Sequence, residues 1–166
     1  MKAIENGLIF VYTYKEGLLS AVAHDLELQL KDFSVQFNGG DVTATFTMSS
    51  LTVVGAMQDG QPQSSALSSK DKSKIEDTMR KQVLSTRKFG QSKLAARVTD
   101  GVLDGTLTLV GKTAPIKGEV HSHNGVARGV VELRPTNWGI KPYTALFGAL
   151  RLQDRVRVEF QMDLPL

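Results

Sequence analysis

Along most of the chain, single hydrophobic residues alternate with single polar residues, which is the pattern of β-strands with one buried face. The alternation is most regular near the C-terminus, where Val156, Val158, Phe160 and Met162 are separated by charged or polar residues. The same pattern predicts strands at 8–15, 26–30, 33–37, 41–48, 94–98, 103–109, 116–121, 127–133 and 155–164. Roughly eight or nine short strands at close spacing are typical of an all-β antiparallel barrel or sandwich.

Turn-forming residues separate several of these strands. Asn38–Asp41, Thr99–Gly101 and Asn124–Gly125 are hairpin signals. At Lys31–Asp32 the alternation shifts by one residue, so a bulge or tight turn is needed there to keep the apolar side chains on one face. Three glycines inside predicted strands suit the tight bends that barrel closure requires: Gly105, Gly118 and Gly129.

One segment departs from the strand pattern. Gln58–Ser69 is polar and rich in Ser and Gln, which predicts an exposed loop. A helix is predicted over Ser69–Leu84, with Ser73 and Glu76 as a capping box and Ser69 as the alternative N-cap. The apolar residues of this helix form one stripe: Ile75, Met79 and Val83. We expect the helix to be an insertion that lies across one end of the barrel.

The composition is that of an ordinary globular protein. Of 166 residues, 41% are hydrophobic and 22% are charged, so we expect one domain over 1–166 with one core. The net charge is only +3, and Lys and Arg are spread along the chain without a basic patch, which argues against nucleic-acid binding. Because there is no cysteine, disulfides, thiolate nucleophiles and cysteine-based metal sites are excluded.

The N-terminal residues and the apolar runs bear on location. Met1–Gly7 contains no apolar segment before a small-residue cleavage site, and no run approaches the ~18 apolar residues of a membrane-spanning helix. We therefore expect a cytoplasmic location for the chain as written, and a periplasmic one if a signal peptide has been trimmed.

His24 and Asp25 are the adjacent polar residues whose side chains are best suited to bind a ligand or to take part in catalysis. They could bond a ligand head group near the barrel mouth, or they could satisfy backbone groups in the turn before Leu26. A hydrolytic site needs an oriented base placed on a nucleophile, and the chain has no G-x-S-x-G segment. We therefore assign no catalytic residue and expect a protein that is not an enzyme.

Two further pairs are candidate ligand-binding groups. His121 and His123 share one face of a strand, but no third ligand is evident, which favours exposed side chains over a metal site. Arg134 and Lys141 flank Trp138–Ile140 and could meet an anionic head group or form a solvated rim. We expect neither a metal nor a cofactor.

Four segments form an ordered set of motifs: Tyr14–Leu26 (YKEGLLSAVAHDL), Leu107–Ile116 (LTLVGKTAPI), Trp138–Ile140 (WGI) and Asp154–Phe160 (DRVRVEF). Together they resemble the motifs of the YceI-like, polyisoprenoid-binding proteins. The stretch H-L-[RK]-S-x-D-F-[FL] of many members is replaced by Ile75–Leu84, which resembles a divergent branch. The resemblance implies a lipocalin-like β-barrel of about eight strands, an isoprenoid or fatty-acyl lipid as ligand and, as is frequent in the family, a homodimer.

The alternation leaves two roles open for inward-facing side chains: they fill a small barrel, or they line a ligand cavity. The resemblance implies the second role, the binding or transport of an apolar chain inside the barrel. The alternative is a non-catalytic structural or partner-binding domain with a packed interior. Taking one face of each strand as the inward one, the predicted ligand-binding residues are Phe10, Tyr12, His24, Phe37, Phe46, Met48, Leu107, Leu109, Trp138 and Phe160.

Overall fold

The computed structural model describes residues 1–16, 24–145 and 150–165. Its α-helix, α1, spans Ser69–Thr78 and continues as a π-helical turn over Met79–Val83, and short 3₁₀ helices span Met48–Ser50 and Pro135–Trp138. The strands are β1 (Lys2–Ile4), β2 (Gly7–Lys15), β3 (Asp25–Leu30), β4 (Phe33–Asn38), β5 (Asp41–Thr47), β6 (Leu51–Gln58), β7 (Gln61–Gln63), β8 (Gln91–Thr99), β9 (Val102–Leu109), β10 (Lys112–His123), β11 (Val126–Leu133), β12 (Thr144–Ala145) and β13 (Leu150–Asp163).

Six of these strands are the halves of three long, bent strands: β1–β2, β3–β4 and β5–β6. The first long strand pairs with the second in one continuous register, with Ile4 opposite Val35 and Ile9 opposite Leu30. The second pairs with the third as one antiparallel hairpin whose tip is at Asn38–Asp41. The chain therefore crosses the molecule three times before it reaches α1.

The remaining strands complete a ring. β5 pairs with β8, followed in order by β9, β10, β11 and β13, and β13 pairs with β2 of the first long strand. The described strands thus form an eight-stranded antiparallel barrel in which chain neighbours are also spatial neighbours. This confirms the predicted all-β, lipocalin-like fold, and β7 and β12 are short additions to β6 and β13.

The shift in alternation at Lys31–Asp32 is the bend between β3 and β4. The Thr47 N–H donates to the Asp32 carbonyl (2.9 Å), and the Asp32 N–H donates to Ser50 Oγ (2.9 Å). Because the bend takes up two residues outside the ladder, Leu30 and Val35 are both buried, at 6% and 7% exposure. The predicted bulge or turn therefore keeps the apolar rows of both halves on the inner face.

The two ends of the barrel are built differently. At one, the turn end, tight turns join β4 to β5, β8 to β9 and β10 to β11, and Leu164 donates its N–H to the Gly125 carbonyl. Asp100–Gly101 and Asn124–Gly125 have positive φ at both central positions, as a type I′ hairpin turn requires. At the other, the helix end, lie α1 and the connection from β11 to β13.

The start of the helix differs from the prediction. The N-cap is Ser68, whose Oγ accepts from the Asp71 N–H (3.1 Å) while the Asp71 carboxylate accepts from the Ser68 N–H (3.0 Å). Glu76 does not cap the helix. Its carboxylate instead accepts a hydrogen bond from the Val53 N–H of β6 (2.8 Å), which fixes the helix against that strand. No helix in the described residues is long and apolar enough to cross a membrane.

Four strands lie where the alternation predicted none: β1, β6, β7 and β12. β6 was missed because the β3–β6 register shifts beside Val53, which leaves Val54 as an extra, 40% exposed residue between two buried stretches. That β-bulge puts two apolar residues in succession and breaks the period of two. The predicted loop Gln58–Ser69 also contains β7, which folds back onto β6.

Candidate functional site

The barrel encloses a cavity of about 700 Å³. It extends from Gly40 and Val98 at the turn end to Leu109 and Trp138 at the helix end. Buried aliphatic side chains from the barrel strands form much of its wall, among them Ile9, Leu28, Val35, Leu51, Leu103 and Val131. The inward rows therefore leave space between them, and the volume is within the ~300–1,000 Å³ range of small-molecule sites.

Eight of the ten predicted ligand-binding residues line this cavity. They come from four of the eight barrel strands and from two connections, and meet only because the barrel closes: His24, Phe37, Phe46, Met48, Leu107, Leu109, Trp138 and Phe160. Trp138 is 2% exposed, and its indole N–H donates to the Leu107 carbonyl (2.8 Å). This bond ties the 3₁₀ helix Pro135–Trp138 to β9 at the helix end.

The prediction was wrong for Phe10 and Tyr12, which lie on the outer face of β2. The other face of this strand, with Ile9, Val11 and Thr13, lines the cavity. Both faces of β2 are apolar enough to be buried, so the alternation did not determine which one points inward. The Tyr12 side chain favours the observed orientation of the strand, because its hydroxyl on the outer face donates to the Glu27 carboxylate (2.8 Å).

The surroundings of Tyr12 also change its acidity. Burial of the ring and the hydrogen bond to Glu27 raise the pKa of Tyr12 well above the ordinary tyrosine value. Tyr14, on the same outer face, packs its ring under the Arg155 guanidinium at 4.3 Å. These aromatic residues therefore form part of the barrel's exterior.

The helix contributes wall residues that were not predicted as ligand-binding. Ile75, Thr78, Met79 and Val83 line the cavity from α1 and its π-helical continuation. The signal was present in the sequence, because the stripe at four-residue spacing identified the buried face of the helix. Sequence alone did not show that this face would cover open interior.

The side chains of His24 and Asp25 have different surroundings. Asp25 Oδ1 accepts a hydrogen bond from the Lys15 N–H (2.8 Å), so this carboxylate satisfies a backbone donor beside the β2–β3 connection. His24 lines the cavity at the helix end. The backbone interpretation therefore describes Asp25, and the head-group interpretation of His24 stays a prediction.

The charged residues that line the cavity are all basic. Lys74 of α1, Lys141 and Arg155 join His24 in the lining, all at the helix end. Arg155 is already engaged, because its guanidinium pairs with Glu132 (3.1 Å). Arg134, the other predicted rim cation, pairs with Asp154 (3.8 Å) and lies outside the cavity lining.

Two hydroxyl groups are buried in the wall without a hydrogen-bond partner in the described structure. They belong to Thr13 of β2 and to Ser92 of β8, and Ser92 is 2% exposed. Both residues line the cavity. An unpaired buried hydroxyl loses its hydration without compensation, so each is a position where a ligand atom could restore a hydrogen bond.

The two histidines of β10 lie away from this site. His121 and His123 are exposed on the barrel. In residues 1–16, 24–145 and 150–165, no group of three or more His, Asp or Glu side chains is placed to hold a metal ion.

Two solved structures share the fold. BcnA from Burkholderia cenocepacia matches with a TM-score of 0.60 at 14% identity, over 94% of each chain. A polyisoprenoid-binding domain from Saccharophagus degradans, described as implicated in plant cell wall breakdown, matches with a TM-score of 0.59 at 10% identity, over 98% of each chain. At these identities the likeness is one of fold.

Sequence comparison adds the family. No curated protein matches the chain significantly. The model of the YceI-like domain matches residues 11–164, a range that includes all four motifs completely. Because the match covers nearly the whole barrel, the chain belongs to the YceI-like family.

Proposed function

We propose that this protein binds or carries an apolar chain, an isoprenoid or a fatty-acyl lipid, inside its barrel and catalyses no reaction. The observation that carries the proposal is the cavity of about 700 Å³ with its mostly aliphatic and aromatic wall. A packed interior, on which the structural alternative depends, has no such space.

The hydrophobic effect is sufficient to hold such a ligand. Each CH₂ group moved from water into the wall contributes about 0.8 kcal/mol, so ten of them contribute about 8 kcal/mol. That corresponds to roughly micromolar affinity before ordering costs are subtracted. Because the hydrophobic effect has no direction, chain length and cavity shape set selectivity along the tail.

The polar groups support binding over catalysis. The carboxylate next to His24 already accepts from a backbone N–H, and the two buried hydroxyls of Thr13 and Ser92 stand on different sides of the barrel. Family membership and the polyisoprenoid-binding description of the Saccharophagus degradans domain support the lipid as ligand class.

Displacement of the neutral fluorescent probe N-phenyl-1-naphthylamine by farnesol or hexadecanol tests the proposal. Ala44 is 5% exposed and lines the cavity, so the larger side chain of Ala44→Phe should occupy part of the cavity and weaken both alcohols about tenfold. Ala95, on the outer face of β8, provides the matched control, and Ala95→Phe should bind as the unmodified protein does.

Ala127→Phe provides a second variant that narrows the cavity, because Ala127 is also buried in the wall. Far-UV circular dichroism establishes that each variant is folded before affinities are compared. Equal binding by the inner and outer variants would show that the alcohols bind elsewhere and would contradict the proposal.

A further inference from the structure

The lining of the cavity is polarised along the barrel axis. At the turn end it consists of uncharged groups such as Gly40, Val98 and Val120. At the helix end it includes Lys74, Lys141 and His24, together with part of Arg155, whose guanidinium lies outside against Tyr14 and Glu132. An amphiphile in this cavity therefore meets an apolar environment at one end and positive charge at the other.

The charge at the helix end has one sign. No Asp or Glu is among the described lining residues, although the chain has 17 acidic and 20 basic residues in all. The residues outside the described ranges add none, because 17–23 and 146–149 contain no charged side chain. General composition therefore does not account for the basic lining.

Two of these cations have no partner in the described structure. Lys74 and Lys141 form no ion pair with a described carboxylate, unlike Arg155. The acidic residue one turn before Lys74 is Asp71, whose carboxylate caps α1. Lys74 and Lys141 are both exposed, so they present positive charge at the rim of the cavity, and Asp71 is near enough to Lys74 to offset part of its charge.

An unpaired hydroxyl is in the same part of the barrel. Thr13 is opposite Leu26 in the β2–β3 ladder, and His24 is two residues before Leu26 on the same inward row. The buried Thr13 Oγ1 has no partner within the described residues. It can donate to an oxygen of a ligand head group seated at the helix end.

We infer that the cavity takes a single-chain amphiphile with an anionic head group, a carboxylate or a phosphate, seated at the helix end near Lys74, Lys141 and Thr13. The tail extends toward the turn end. This inference rests on the proposed function and adds the charge and the orientation of the ligand.

Matched pairs of ligands with the same tail test it: palmitate against hexadecanol for the carboxylate, and farnesyl phosphate against farnesol for the phosphate. Displacement of N-phenyl-1-naphthylamine gives the affinity ratio of anion to alcohol. We expect this ratio to exceed one for at least one pair, and the pair with the larger ratio identifies the head group. The ratio should fall as salt screens the lysines.

The double variant Lys74→Gln, Lys141→Gln should reduce the ratio about fivefold, because exposed ion pairs contribute up to about 1 kcal/mol and a factor of five is about that much. The control is Lys93→Gln, Lys117→Gln, which removes the same charge from exposed residues outside the lining and should leave the ratio unchanged. Equal affinity for anion and alcohol, or an equal effect of both double variants, would overturn the inference while the binding of alcohols upheld the proposed function. Failure of every ligand to displace the probe would overturn both.

Discussion

Replacing Trp138 by phenylalanine tests how the helix end is held together. The indole N–H donates to the Leu107 carbonyl at 2.8 Å, and the side chain is 2% exposed. Loss of a buried hydrogen bond costs about 1–3 kcal/mol, and the smaller ring leaves space worth about 1 kcal/mol. We therefore expect Trp138→Phe to lower the free energy of unfolding by about 3 kcal/mol.

For a chain of this size, that loss lowers Tm by about 9 °C. Urea unfolding followed by far-UV circular dichroism measures the change, since the variant has no tryptophan fluorescence. Tyr14→Phe is the control, because it removes a polar atom from an aromatic side chain on the barrel exterior. A loss below about 0.5 kcal/mol for Trp138→Phe would refute the reasoning, because surface substitutions give changes of that size.

Four other outcomes are expected. Glu76→Ala should lower stability by about 1.5–3 kcal/mol in urea unfolding, because it removes a charge-assisted bond to β6, whereas the exposed Asp77→Ala should not; equal effects would contradict this role. Ser92→Ala should leave stability unchanged or raise it by about 1 kcal/mol, because its buried hydroxyl has no partner in the described residues, and a clear loss in the same assay would show a missed hydrogen bond. The emission of Trp138, the only tryptophan, should respond to an added fatty acid or prenol because the ring lines the cavity; a constant spectrum at saturation would argue against ligand in the cavity. The raised pKa of Tyr12 means that the folded state keeps a proton that the unfolded state loses, so stability should fall as pH rises above about 10, and Tyr12→Phe should fall less over that range in pH-dependent urea unfolding.

The sequence was most informative where one face of a strand is polar. The last strand and the hairpins at Asn38–Asp41 and Asn124–Gly125 were predicted correctly, because burial of one face imposes a period of two and tight hairpin turns favour Asn, Asp and Gly. The bend at Lys31–Asp32 was predicted for the same reason, since only a local irregularity reconciles the two phases. These features are dictated by local chemistry.

Prediction failed where the two faces of an element are alike or where the ladder is irregular. Phe10 and Tyr12 were predicted to face inward because both faces of β2 are apolar. The hydrogen bond between Tyr12 and Glu27 distinguishes the outer face from the inner one. β6 was missed because a bulge at Val54 hides its alternation. The N-cap of α1 was misplaced because Ser68, Ser69 and Ser73 are chemically equivalent candidates.

The cavity itself is a property of the closed barrel. Whether inward rows meet in the middle depends on the diameter of the ring, which is set by strand number and register. Lys74 and Lys141 both line the helix end of this cavity, although they are far apart in sequence. Alternation along one strand carries no information about either feature.

Native mass spectrometry of the purified protein, followed by organic extraction, tests the central claim most directly. The account predicts a stoichiometric hydrophobic mass on the chain, or the uptake of one added palmitate or farnesol per chain after delipidation. A clean apo mass that takes up neither ligand would contradict the account and would direct the search to a protein partner.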